Sequence, residues 1–218
     1  MAGAKLTISS RNYSSWSLRA WLFCQLADLD VEVESVPMDD PNNRAELLLL
    51  SPTVLTPRLE HDGASVWDTL AIGEYLEENF PEANLLPAER IKRAHCRSVV
   101  GEMHAGFYNL RSALPMNLRG RYPGFRVFTG ARSDIRRVLA IWTDCLEQYG
   151  GPFLFGEQLT LADAMYAPVC TRFVTYDVAL DGKAADYRDR IIAWSPMQQW
   201  IEASKAEPRE IEELDIEF

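Results

Sequence analysis

The amino-acid sequence predicts an α/β layer domain followed by an all-helical domain, and three observations carry that expectation. Strand and helix patterns alternate over roughly the first 80 residues in the order β-α-β-α-β-β-α. Beyond Pro81 the strand patterns vanish and longer helical periodicities take over. Between the two, Ser51 to Pro81 joins a proline-led strand, a tight turn, a second strand and a helix into one unit. The 218 residues suffice for two cores of this size, divided here as residues 1–81 and 88–218.

Lys5 to Ser9 alternates apolar and polar residues, as a half-buried strand does. The polar loop Ser10 to Ser14 leads into a helix from about Ser15 to Ala27, with Trp16, Ala20, Phe23 and Leu26 as its inward positions. Val31 to Val36 alternates valine with glutamate and forms a second strand whose Glu32 and Glu34 face water. Asn42 to Leu50 reads as a short helix. Pro57 to His61 is a strand, because proline is tolerated where no ladder hydrogen bond is donated. An Asp62-Gly63 turn returns the chain as Ala64 to Trp67. Asp68 and Thr69 start a helix with Leu70, Ile72, Gly73, Tyr75, Leu76 and Phe80 at its apolar positions, and Pro81 stops it. A strand-helix-strand start, a hairpin and a closing helix fit a thioredoxin-like layer fold.

Glu82 to Pro87 is a connector. Helices are then expected over about Ala88 to Leu114, Ser133 to Tyr149, Leu161 to Val178 and Pro196 to Ala206, with a short one near Ala184 to Ile192. Pro115 to Arg132 holds three glycines and two prolines without long periodicity, a loop or a bent helix end. Before Leu161, Thr160 can cap the N–H three residues on while Asp163 reaches back to the N–H of Thr160, a capping box whose role is folding.

The net charge of −10 with 25% charged residues argues for a soluble protein and against a nucleic-acid binder, whose affinity rests on neutralising phosphates. No apolar run is long enough for a membrane span, and the start MAGAKLTISSRN lacks the apolar core of a secretory signal, so the cytoplasm is expected. Cys24, Cys96, Cys145 and Cys170 lie far apart inside helical patterns and read as small buried hydrophobes, without a disulfide framework or zinc site. His61, His95 and His104 show no metal-ligand spacing, so no metal is expected. Seven arginines against one acid between Arg111 and Arg137 contrast with six acids and one arginine between Glu207 and Phe218. These are either solvated surfaces, touching each other or not, or a basic stretch that steers an anionic substrate.

Two sources of fixed polarity meet near Pro57 and the helix start at Asp68-Thr69, an arrangement suited to a small charged ligand. Together with the serine-rich loop and the capping box, these landmarks resemble the glutathione S-transferase superfamily over nearly the whole chain. Ser14-Ser15-Trp16-Ser17-Leu18-Arg19 is similar to the SSCS-x-R motif of zeta-class and serine-type bacterial members, with Trp16 where the zeta pattern has cysteine. Thr56-Pro57 falls at the family's cis-proline, Asp68-Thr69 at its pair before the third helix, and Thr160 to Asp163 at its capping box.

The resemblance implies glutathione as co-substrate. Its cysteinyl part would pair with the backbone of Thr56 ahead of Pro57, and its γ-glutamyl end would be held by Asp68 and Thr69. Asn42 would face its other end. Ser14 aligns with the family's catalytic serine, ahead of Ser15 and then Tyr13. A free thiol of pKa about 8.5 is only a few per cent thiolate at neutral pH. Lowering it by about two units takes roughly 2.7 kcal/mol of preferential anion stabilisation, which a hydroxyl donor at a helix N-terminus can supply. The Ser14-x-x-Ser17 spacing stands where redox relatives of the fold carry Cys-x-x-Cys, so dithiol exchange is not expected.

A small electrophile or peroxide is expected between the domains, against Met103, Phe107, Tyr108, Arg111 and Met116. Zeta-class isomerases carry an arginine on the capped helix that meets a substrate carboxylate. Here Arg172 sits one turn earlier and Thr175 takes the matching place, a departure that weighs against maleylacetoacetate isomerase activity. The alternatives to conjugation are therefore that cis-trans isomerase activity and a non-catalytic glutathione-binding scaffold. The family resemblance also implies a homodimer.

Overall fold

A computed structural model describes residues 3–36 and 55–207. The expected helix at Asn42 to Leu50, the expected glutathione contact at Asn42 and the acidic stretch beyond Glu207 lie outside those residues. Four strands, β1 (Ala4–Ile8), β2 (Val31–Ser35), β3 (Arg58–His61) and β4 (Ala64–Trp67), form one sheet in the order β2-β1-β3-β4. β1 and β2 run parallel with Ala4 opposite Val31, and β3 runs antiparallel to β1 with Leu6 opposite Leu59. β3 and β4 form the expected hairpin. Its turn needs two left-handed residues, and Asp62 and Gly63 supply them at φ 48° and 80°. Glu32 and Glu34 are exposed, as the valine-glutamate alternation requires.

Eight α-helices are present among the described residues: α1 (Ser15–Leu26), α2 (Thr69–Asn79), α3 (Arg90–Ala105), α4 (Tyr108–Ala113), α5 (Thr129–Tyr149), α6 (Leu161–Thr175), α7 (Gly182–Ala193) and α8 (Ser195–Lys205). After α2, one 3-10 turn at Pro81–Ala83 and a short connector lead into the helical half. This is a thioredoxin-like domain joined to a helical one. Among the described residues no helix is long and apolar enough to cross a membrane.

The inward stripe expected for α1 is too narrow. Ala20 and Phe23 are buried, but Trp16 and Leu26 are only partly so, whereas Ser15, Ser17, Leu18, Arg19, Trp21, Leu22 and Cys24 are buried as well. The reason is position. α1 packs against α2 in its own domain and against α6 and α8 of the other, so its surroundings impose no single polar face. α6 is the corresponding element of the helical half, with nearly every residue buried among α1, α3 and α7.

The single helix expected from Ala88 to Leu114 is broken in two. Apolar spacing continues through Phe107 and Leu110, but Phe107 takes the left-handed conformation at φ 60° and Gly106 is extended. A Cβ on Gly106 would stand 2.7 Å from the Glu102 carbonyl oxygen. Gly106→Ala is therefore expected to destabilise the protein by about 1–3 kcal/mol, read from chemical denaturation. The break turns Phe107 onto Tyr166, ring centroids 6.5 Å apart, and starts α4, which carries Arg111.

The capping box of α6 is formed in both halves, and Asp163 also accepts hydrogen bonds from the Leu154 N–H at 3.0 Å and the Tyr187 hydroxyl at 3.2 Å. All four cysteines are buried and free. Burial pushes the thiols of Cys24, Cys96 and Cys145 up to about 12, so they stay protonated at neutral pH.

The β1–α1 loop is tied from two sides. The Asn12 side chain donates to Asn117 at 3.0 Å and accepts from the Leu118 N–H at 2.9 Å. The Trp200 indole N–H donates to the Arg11 carbonyl at 2.9 Å. The Glu207 carboxylate accepts from the Ser10 hydroxyl at 2.9 Å, the Asn12 N–H at 3.1 Å and the Arg11 N–H. Arg119, from the arginine-rich stretch, donates to the Glu207 carbonyl at 3.2 Å. At its first residue, then, the acidic segment does touch the basic one.

Candidate active site

The tethered loop delivers Ser14 to the N-terminus of α1. Ser14 has extended backbone at φ −89°, ψ 99° and is the N-cap. Its Oγ accepts from the Ser17 N–H at 3.2 Å and from the Ser17 hydroxyl at 2.9 Å, while Ser17 Oγ accepts from the Ser9 N–H at 3.3 Å. The Ser14 hydroxyl, held by Ser17, thus stands at the positive end of a helix and partly open to solvent. Such a group can stabilise an anion placed beside it. Ser15 is different: it is buried and accepts from Arg19 Nη1 at 3.2 Å, which commits its hydroxyl to the interior.

The Thr56-Pro57 peptide is cis. Asp68 has positive φ, 73°, and caps α2 by accepting from the Leu70 N–H at 2.8 Å through Oδ1. Its other oxygen, Oδ2, meets His104 Nε2 at 2.8 Å, and the Asp68 side chain keeps about half its surface in solvent, 47%. Thr69 is only 1% exposed and its hydroxyl has no hydrogen-bond partner. A buried hydroxyl left unpaired at a helix N-terminus is a donor in want of an acceptor.

The two helix starts are linked across the domains. Trp16 on α1 lies against His104 on α3, ring centroids 5.2 Å apart, and His104 holds Asp68 at the start of α2. His104 was legible neither as a metal ligand nor as a partner for a carboxylate, because 36 residues separate it from Asp68 and no local spacing announces the pair. Trp16, expected to point into the core, instead forms part of this wall, with the Arg19 guanidinium 4.5 Å and the Arg111 guanidinium 5.3 Å from its ring centroid.

The expected wall of the electrophile site is only partly present. Met103 at 0% and Met116 at 1% exposure are packed in the core, and Phe107 is 8% exposed. Tyr108 is 73% exposed and Arg111 is partly exposed. Arg172 is buried on α6, and burial, reinforced by the nearby charge of Arg111, brings its pKa down to about 10. Thr175 donates its hydroxyl to the Asn117 carbonyl at 2.8 Å and is 1% exposed.

Among the described residues no cluster of three or more histidine, cysteine or carboxylate side chains is placed to hold a metal ion. Comparison with known proteins gives consistent matches. Residues 13–79 match the family model described as the glutathione S-transferase N-terminal domain, and residues 126–203 match the model of the C-terminal domain. A Caenorhabditis elegans protein named as a probable maleylacetoacetate isomerase is 28% identical over 169 residues, covering 78% of this chain and 79% of that one. Glutathione S-transferase 1 of Dianthus caryophyllus is 27% identical over 173 residues, covering 78% of each. Among solved structures, a glutathione transferase homologue from Burkholderia with bound glutathione superposes with a TM-score of 0.68 at 22% identity, covering 94% of this chain and 100% of that one. Glutathione transferase Omega 3C of Trametes versicolor does so with a TM-score of 0.70 at 18% identity, covering 92% of this chain and 89% of the other.

Proposed function

We propose that this chain, which belongs to the glutathione S-transferase family, activates the glutathione thiol as a thiolate at Ser14 for attack on a small electrophile. The observation that carries the reading is the Ser14 hydroxyl, which Ser17 holds as the N-cap of α1 and which is partly open to solvent at that helix end. The thiolate is the charge that such a donor and such a helix end stabilise.

The rest of the tripeptide fits the neighbouring groups. The backbone of Thr56, before the cis bond to Pro57, takes the cysteinyl portion in an extended pairing. The α-carboxylate of the γ-glutamyl end sits at the start of α2, where the unpaired Thr69 hydroxyl gains an acceptor. Its ammonium meets Asp68, which His104 and the Leu70 N–H hold in place. Asn42 would face the glycyl end. The protein would act in the cytoplasm as a homodimer, in keeping with its family.

Two measurements test this reading. The bound thiol, followed by thiolate absorbance, is expected to titrate about two units below free glutathione, and an unshifted titration would reduce the protein to a glutathione-binding scaffold. Asp68→Asn should raise KM for glutathione about tenfold with a smaller change in kcat, since it weakens a contact made before and during the reaction. Cis-trans isomerisation of a maleyl diacid is the second reading, favoured by the 28% identity to the worm protein of that name. The committed hydroxyl of Thr175 in place of an arginine speaks against it. Turnover of such a diacid without consumption of glutathione would reverse that preference.

A further inference from the structure

Asp68 is oriented from two domains at once. Its backbone takes φ 73° and ψ 136°, a conformation that residues with a side chain seldom adopt and keep only where their surroundings over-determine it. Both carboxylate oxygens are engaged, Oδ1 by the Leu70 N–H and Oδ2 by His104 Nε2, each at 2.8 Å. The first contact is local, and any N-cap aspartate can make it. The second is not, because His104 lies in the last turn of α3, in the helical domain. A carboxylate only accepts, so Nε2 carries the hydrogen of this bond.

His104 is itself held in place. Glu102, two residues earlier, is gripped by Arg137 of α5 through two hydrogen bonds of 2.6 and 2.8 Å, and Met103 between them is wholly buried. Trp16 packs against the imidazole, and the Arg19 and Arg111 guanidiniums lie over the Trp16 ring in turn. A half-exposed carboxylate with one local contact turns among its rotamers, whereas one tied at both oxygens aims its remaining lone pairs in a fixed direction. Such preorganisation favours a ligand whose donor meets that direction.

We propose that His104 is a positioning residue that makes Asp68 selective for the α-amino group of the γ-glutamyl moiety, so that the helical domain completes head-group recognition. His104 acts through Asp68, with Trp16 as its brace. The inference deepens the glutathione reading and rests on it. It adds the residue that sets the selectivity, drawn from the domain opposite to the one that supplies Thr56, Asp68 and Thr69.

Calorimetric binding of glutathione and of its analogue without the α-amino group, glutaryl-cysteinyl-glycine, to the full-length protein reads the selectivity directly. The wild type is expected to prefer glutathione by about 10- to 100-fold, the effect of one hydrogen bond between charged groups. His104→Ala should cut that preference about tenfold by weakening glutathione alone, with the analogue bound as before. His104→Gln, whose amide N–H reaches as far as Nε2, should keep most of the preference and the shorter His104→Asn should lose it, a contrast that stands even if alanine unsettles the fold. Asp68→Asn should abolish the preference, and His104→Ala added to it should change nothing further. Equal weakening of both ligands in His104→Ala, or additive losses in the double variant, makes His104 a structural contact and overturns the proposal. Glutathione that fails to bind the wild type sinks the glutathione reading and the inference with it. Glutathione that binds with no preference over the analogue, or with a preference that His104 does not affect, leaves that reading standing and sinks the inference alone.

Discussion

Ser14→Ala is expected to lower kcat for the proposed thiol transfer about 100-fold and to raise the pKa of bound glutathione by about two units, leaving KM for glutathione within a few-fold. The size follows from what one hydroxyl can do. A hydrogen bond to a charged acceptor contributes about 1.5–3 kcal/mol, and the helix end adds about 0.3–1 kcal/mol that the variant keeps. The loss falls on the anion and on the transition state derived from it, while the peptide contacts at Thr56, Asp68 and Thr69 remain, so it appears in kcat rather than KM. Single-turnover rates and the thiolate titration of the variant decide the matter. If both match the wild type, Ser14 is simply a helix cap, whose loss costs about 1 kcal/mol of stability and no chemistry.

The largest effect on stability is expected at Asp163. Asp163→Ala should lower the free energy of unfolding by about 4 kcal/mol. Its carboxylate is wholly buried and receives the Thr160 N–H at 2.8 Å, the Thr160 hydroxyl at 3.0 Å, the Leu154 N–H at 3.0 Å and the Tyr187 hydroxyl at 3.2 Å. Alanine would strand all of these donors away from water. At a chain of this length the melting temperature should drop by about 10 °C. Burial raises the pKa of Asp163 above its ordinary 3.8, outweighing the donors that lower it. A group raised in the folded state stabilises most when protonated, so its contribution is full below the ordinary value and declines as pH rises through the folded one. The stability difference between the wild type and Asp163→Asn should therefore be widest below the ordinary carboxylate value and narrow as the pH rises through the higher folded one.

Local chemistry was legible wherever neighbouring residues decided it. The Asp62-Gly63 turn, the capping box at Thr160 and Asp163 and the helix start at Asp68 follow from side chains two or three positions apart. The helix break at Gly106-Phe107 was not legible, because apolar spacing runs on through Phe107 and Leu110, and only the left-handed backbone of Phe107 reveals the corner. Nor was the burial of α1 on nearly all sides, since a helix shared by two domains has no polar stripe to set its period. Within the site, Ser14 stands ahead of Ser15 through the family resemblance and its place just before the first helix, and the structure adds that Ser15 accepts from Arg19. The pairing of His104 with Asp68, and of both with Trp16, joins elements from three parts of the chain. No spacing encodes such a meeting, and it exists only once the two domains close on each other.

The hold that Glu207 exerts on residues 10 to 12 has a reach beyond its own neighbourhood. Those residues lie just ahead of Ser14, so the placement of the proposed proton donor depends on a carboxylate almost two hundred positions downstream. On the proposed reading, catalytic alignment is thus borrowed from the far side of the sequence, and a lesion remote from every proposed substrate contact is expected to blunt the reaction by letting that loop wander.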